Sequence, residues 1–270
     1  LRAKRKQTII SINTVISTLG IFLGVAALII VLSVMSGFET ELRNKILGIN
    51  SHILLMRLDG SMEEYRQVMA EVERLDRVVA LTPFVYGQAM VKKGNRVTGT
   101  VLRGIAPESA LSVISVGSMT AGDMSALADD IDSIESGDLP PVVIGRELAG
   151  ILGARYGEEV EVLLPMGIPT PMGTMPRIQK FTVAGIFESG FYEYDSTLTF
   201  LSLSDSKRFL NTGDAVTGVE IKIDSIYRAG EVADAIEERL GYPYRARTWM
   251  ELNRNLFSAL KLERAVMFII

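Results

Sequence analysis

The hydropathy pattern is dominated by a run from Gln7 to Phe38 that contains no Asp, Glu, Lys, Arg or His and centres on Leu19 to Leu32. At about 1.5 Å per residue, a helix of that length exceeds the roughly 30 Å of a bilayer's hydrocarbon. A helix is required there, because lipid would leave the backbone donors of a strand or loop unpaired. The pattern therefore predicts a first transmembrane helix over 7–38. A secretory signal peptide shares the basic start, but its apolar region runs only about 7 to 15 residues before a small-residue cleavage site. Here a charged amphipathic segment follows instead. Phe38, Leu42 and Ile46 recur every fourth residue, and Glu41 and Lys45 are spaced to pair before Gly48 stops the helix. Residues 39–50 read as a stalk that continues the span.

Within the span, Gly20 and Gly24 form a small-xxx-small pair, and Ser17 and Ala27 extend the same helical face. Such a face lets a second helix approach closely, although small residues are also common in spans for no such reason.

Beyond the stalk the period changes. Ser51 to Met56 reads as a strand. Ser61 and Glu64 have the spacing of a capping box in front of Met62, Tyr65, Met69, Val72 and Leu75 at helical spacing. Val78 to Val91 is rich in β-branched and aromatic residues and is broken by Pro83 and Gly87. The same order returns near the other end. Thr217 to Ile223 alternates as a half-buried strand does, Ile226 to Leu240 makes a helical face, and Tyr242 to Arg247 is a short strand.

Two β-α-β units, 51–87 and 217–247, thus bracket a long middle. The fold class expected is α+β, a split β-α-β/β-α-β sandwich with an inserted small β subdomain over 88–216. The insertion's strands are expected at 89–92, 98–105, 142–144, 160–164, 181–187 and 197–201. Asp123 to Asp138 is acidic and reads as a solvated loop or short helix, and Arg146 begins a short helix ending near Gly153. After the second unit, Thr248 and Glu251 make another capping box. Leu252, Leu256 and Leu260 then mark a second stalk over 248–264, and Val266 to Ile270 read as the start of a second transmembrane helix.

Charge sets the orientation. The formal net charge is -4, and Arg2, Lys4, Arg5 and Lys6 supply +4, so the residues after them sum to -8. A basic cluster beside a span favours a cytoplasmic N-terminus and places the large domain outside. The acidic remainder repels phosphates, which argues against nucleic acid as a partner. With no cysteine in the chain, disulfides and Cys-based metal sites are excluded. His52 is the single histidine and is expected to be structural at the start of its strand. There is no phosphate-binding loop, since Gly94 to Thr100 has the glycines without the lysine, and no nucleophile has a second histidine to serve it. Asp195 beside Tyr192 and Tyr194 reads as a turn. No catalytic, cofactor-binding or metal site is expected in this chain.

Four of the nine prolines fall in Pro165 to Pro176, which also holds Met166, Ile168, Pro169, Pro171, Met172 and Met175. That density forbids a helix or a mid-sheet strand and predicts a projecting loop. Stiffness and adaptable apolar side chains suit a docking arm; the alternative is a proline-rich connection packed on its own domain. Arg177 and Lys180 at its base form a small basic patch that could meet acidic groups on a partner.

The chain resembles the permease subunits of the bacterial lipoprotein-releasing (Lol) ABC transporter, within the macrolide-exporter-like superfamily. The resemblance runs through Leu32 to Glu39, Leu102 to Ile105, Thr170 to Gly173 with Pro176, Phe181 to Phe187, and Thr248-Trp249 through Glu263. It implies a subunit with four spans in the inner membrane of a diderm bacterium, paired with itself or a sibling permease. ATP and Mg would be handled by separate cytoplasmic ATPase subunits. Such complexes take lipoprotein substrates from membrane lipid and pass them to a periplasmic carrier, recruited in one subunit type by a proline-rich hook like Pro165 to Pro176. Glu161 departs from the basic residue expected before the hook. The resemblance also implies that lipoprotein enters near Leu32, Met35 and Phe38. The alternatives are a related exporter permease for small molecules or peptides, and a non-transporting transmembrane regulator of envelope enzymes.

Overall fold

The computed structural model describes residues 2–128, 139–170 and 173–255, with 258, 259, 262 and 266; the side chains of 2–13, 39, 42–49 and 166–174 lie outside the description. The chain divides into two compact units, 1–44 and 45–270.

The first unit is helical. Helix α1, Arg2–Ile49, is continuous, so no break separates the expected span from the expected stalk. Its stretch Thr14–Phe38 is long and apolar enough to cross a membrane and is unburied within this chain.

The second unit is built on a ten-stranded sheet. Its strands are β1 (Ile53–Arg57), β2 (Val78–Lys93), β3 (Arg96–Ile105), β4 (Ser118–Gly122), β5 (Pro141–Gly145), β6 (Glu159–Thr170), β7 (Gly173–Glu188), β8 (Leu198–Ser202), β9 (Gly218–Ile223) and β10 (Tyr244–Thr248). The main path runs β10-β1-β9-β2-β3-β8-β5-β7-β4, with β6 lying across β2 and β7. At one end, β10, β1, β9 and β2 are all antiparallel, the order of a β-α-β-β-α-β arrangement entered at β1 and left at β10.

Two helices cover one face of those four strands. Helix α2, Tyr65–Val72, buries Tyr65, Val68 and Val72, and a later helix, Ala229–Leu240, buries Val232, Ala233 and Ile236. Both meet Ile53, Leu55, Val219 and Ile221. Each such aliphatic side chain removed from water contributes about 1.5–3 kcal/mol before entropy is charged against it.

Four sequence expectations are corrected here. The Ser61 capping box does not form: Glu64 itself precedes α2 and makes no side-chain cap. Its carboxylate is engaged instead by Arg57 and by the Tyr244 hydroxyl, both at 2.5 Å, while Met62 pairs through its backbone with Val216. Strand β2 is not broken at Pro83 or Gly87 but runs for 16 residues. Pro83 lies where β2 pairs with β9 alone, so a missing donor need not cost a ladder bond. A Cβ on Gly87 would come within 2.7 Å of Leu210, so the glycine serves close packing. Strand β9 is not half-buried, because Glu220 on its polar face is only 4% exposed. Finally, Tyr192 to Asp195 is a short helix, Tyr192–Thr197, with Asp195 buried and accepting from the Ser189 backbone and hydroxyl.

The middle of the chain continues the same sheet. Val142, Ile144, Val160, Val162, Phe181 and Val183 form a second core. Phe187, Phe200, Ile105 and Val113 belong to a third. Between them α3 (Pro107–Val113), α4 (Arg146–Leu152), α5 (Tyr192–Thr197) and α6 (Leu203–Leu210) fill the connections, followed later by α7 (Ala229–Leu240) and α8 (Trp249–Leu252). Helix α4 ends as expected at Gly153, whose φ of 65° needs no Cβ penalty. Strand β4 and helices α3, α5 and α6 were not expected from the sequence. Of the acidic stretch, Met124–Leu127 forms a 3-10 turn capped by Asp123, and 129–138 lie outside the described residues.

The Thr248 capping box forms in both directions, with Thr248 Oγ1 accepting from the Glu251 N–H and Glu251 accepting from the Thr248 N–H. Residues 256, 257, 260, 261, 263 and 264 of the expected second stalk, and the start of a second span apart from Val266, lie outside the described residues.

Candidate partner-docking hairpin

The segment around Pro165 to Pro176, expected as a projecting loop excluded from a helix or a mid-sheet strand, is a hairpin ribbon and not an irregular loop. Strands β6 and β7 pair along the base, shift register between Leu164 and Ile168, and pair again as Ile168–Met175, Pro169–Thr174 and Thr170–Gly173. Strand β2 meets β6 only as far as Leu163, so beyond that residue the ribbon has no third strand among the described residues. Each strand of a two-stranded ribbon has an open edge, and proline fits where its missing donor is not needed.

Beyond Leu164, which packs against the second core, the ribbon's described apolar side chains face outward. Met175 is 63% exposed and Ile178 56%, and Pro165 and Pro176 are exposed. The side chains of Met166, Ile168, Pro169, Pro171 and Met172 lie outside the described residues.

The base is electrostatically quieter than expected. Lys180 donates to Glu159 at 3.0 Å, and that carboxylate pushes the lysine's pKa up. Glu161 accepts from Lys92 at 3.1 Å, and Lys93 pairs with Glu158, holding that carboxyl below its usual range. Arg177 lies over the Phe209 ring at 5.9 Å and has no carboxylate partner among the described residues. The two expected basic residues therefore separate: Lys180 is neutralised by its own strand pair, and Arg177 keeps its charge available.

The remaining expected positions are also placed. Leu32 and Phe38 are exposed on α1, Met35 is partly exposed, and a Cβ on Gly20 or Gly24 would meet nothing. His52 Nδ1 sits 3.2 Å from the Ile223 N–H, joining β1 to β9, and burial lowers its pKa. Among the described residues no cluster of His, Cys, Asp and Glu could hold a metal ion.

One polar pair escaped the sequence reading. Arg103 on β3 and Glu220 on β9 form an ion pair with side chains 2% and 6% exposed. Arg103 is followed by the apolar end of β3 and Glu220 stands between Val219 and Ile221 in β9, and opposite charges within two such apolar runs are the signal that could have found them.

The family described as the MacB-like periplasmic core domain matches residues 14–239. The chain belongs to that family. It is similar over its whole length to the lipoprotein-releasing system transmembrane protein LolC of Xylella fastidiosa strain Temecula1, at 36% identity, and to LolC of Neisseria meningitidis serogroup B, at 34%. LolE of Haemophilus influenzae is 24% identical over 99% of the chain. The chain spans about 63% of the length of the Xylella relative and 64% of the other two. Among solved structures, the periplasmic region of MacB from Actinobacillus actinomycetemcomitans is 12% identical with a TM-score of 0.48, covering 78% of this chain and 94% of that one.

Proposed function

We propose that this chain is part of an inner-membrane permease subunit in an ATP-driven complex. The complex extracts lipoproteins bound for the outer membrane and passes them to a periplasmic carrier, with the β6–β7 ribbon as the carrier's dock. The chain contributes no catalysis; ATP and Mg belong to partner ATPase subunits in the cytoplasm, and a second permease, the same or a sibling, completes the channel. The N-terminus lies in the cytoplasm and the large domain, with its inserted β-rich lobe, in the periplasm.

The observation that carries this reading is the ribbon itself: two strands without a third neighbour among the described residues, proline-stiffened, with exposed Met175 and Ile178. Low-entropy backbone and adaptable apolar contacts are what a docking element requires. The names of the relatives that match along the whole chain supply the cargo. Leu32, Met35 and Phe38 are assigned to the route by which lipoprotein enters, and Gly20 and Gly24 to packing against another span.

Deletion of Met166 to Met175 tests the dock. The full chain is expected to lose capture of the purified carrier while keeping its thermal unfolding midpoint. Undiminished capture would refute the assignment. Arg177→Ala is expected to weaken capture more than Lys180→Ala, because only Arg177 has charge left to offer.

A further inference from the structure

The sheet face opposite α2 and α7 carries a cavity. Its volume is about 390 Å³, enough for one small molecule or one large side chain. Leu54, Met56, Phe84 and Leu252 give it apolar walls. Asn50 donates to the Tyr194 hydroxyl at 2.7 Å along its lining.

Glu220 lines this cavity together with Arg103. The register explains why: Glu220 faces Leu54 on one neighbouring strand and Thr82 on the other, while Arg103 is paired with Tyr86. Arg103 engages only Oε1 of the carboxylate. The second oxygen, Oε2, is buried and has no hydrogen-bond donor among the described residues. A buried carboxylate oxygen without a donor is costly, so retaining one beside an apolar cavity calls for a donor that arrives from outside.

The chemistry of that donor is constrained. The pair is already neutral, and a second cation would leave net positive charge in an apolar site, where it is poorly solvated. A neutral N–H or O–H satisfies Oε2 without that cost. Phe84, Tyr86 and Tyr194 around the cavity favour an aromatic body. We propose that this cavity binds an uncharged aromatic group with a single N–H or O–H donor, indole-like or phenol-like, whose donor bonds Glu220 Oε2.

The test uses the full chain in nanodiscs and two probes of nearly equal size, fluoroindole and its N-methyl analogue, read by fluorine NMR against empty nanodiscs. Fluoroindole is expected to bind saturably, with the methylated probe weaker by about tenfold or more. Leu252→Trp, at a wall position that is 43% exposed and so tolerant of a larger side chain, is expected to abolish binding while leaving the unfolding midpoint in place. Competition with the capped peptide Ac-Ala-Trp-Ala-amide distinguishes sources: displacement supports a polypeptide side chain as the natural occupant, and no displacement supports a free small molecule. Equal affinity for the two probes, saturable binding that survives Leu252→Trp, or no protein-dependent binding would each overturn the proposal, the last leaving Oε2 to water.

Discussion

Trp249 donates its indole N–H to the carbonyl of Ile226, 3.1 Å away, and so ties the first turn of α8 to the loop that follows β9. The ring is 2% exposed and packs in the core beneath α2 and α7. The Thr248–Glu251 capping box fixes the same turn from its other side. The point where the chain leaves the sheet is therefore held by side chains and not by the short helix alone.

Trp249→Phe keeps much of the ring but removes one of the two donors to the Ile226 carbonyl, leaving the Ala229 backbone N–H, and is expected to cost about 0.5–1.5 kcal/mol. Thr248→Ala removes the cap and is expected to cost about 1 kcal/mol. Denaturant unfolding of the two variants measures both, and because the bonds hold one turn, the double variant should deviate from additivity.

A Cβ on Gly104 would lie 1.8 Å from Ser206 Oγ and 2.4 Å from its Cβ, with Val85 Cβ next at 3.4 Å. Gly104→Ala is therefore expected to destabilise by about 1–3 kcal/mol through overpacking. Ser206→Gly should recover most of that loss, since the clash is with one side chain and not with backbone. A double-mutant cycle reads the coupling directly.

Removing either member of the buried Arg103–Glu220 pair strands the other's charge. Arg103→Met alone and Glu220→Leu alone are each expected to cost about 3–5 kcal/mol, whereas the double replacement should lie much closer to the parent protein. Chemical denaturation of the three variants checks this ordering.

His52 supplies a pH dependence. Burial lowers its pKa, Lys222 adds to the effect and the backbone bond to Ile223 opposes it. The folded state thus binds the proton less readily than the unfolded chain. Its stabilising contribution is complete above about 6.5 and is lost as pH falls from there through the folded value. Stability measured between pH 8 and 5 should decline on the acid side, and His52→Gln should flatten that decline.

Among the described residues, nothing lies within 4 Å of a Cβ placed on Gly20 or Gly24. Gly24→Leu should therefore leave the helix content of the isolated chain unchanged while lowering recovery of the proposed complex, where close helix approach is lost. Circular dichroism and co-purification with the proposed partner subunits separate the two effects.

Much of this architecture follows from local pattern. The apolar run through Thr14–Phe38, the strands β3 and β8, the Gly153 stop and the Thr248–Glu251 box depend on neighbours a few residues away, and all were readable from the sequence. Where pattern failed, a distant strand had intervened. Ser61 did not cap because Glu64 is taken by Arg57 and Tyr244. Pro83 was tolerated because β2 has one neighbour there, and the proline-rich segment became a ribbon because β6 and β7 supply each other's bonds. Lys180 lost its free charge to Glu159 across that ribbon.

The sequence by itself determined that an apolar helix precedes a mixed α and β domain, because hydrophobic period and chain length act locally. Only the tertiary structure decided that Glu220, which alternation assigns to solvent, is buried against Arg103 from more than a hundred residues away. Which face of a strand is covered depends on what the remainder of the chain lays over it, and no local spacing contains that information.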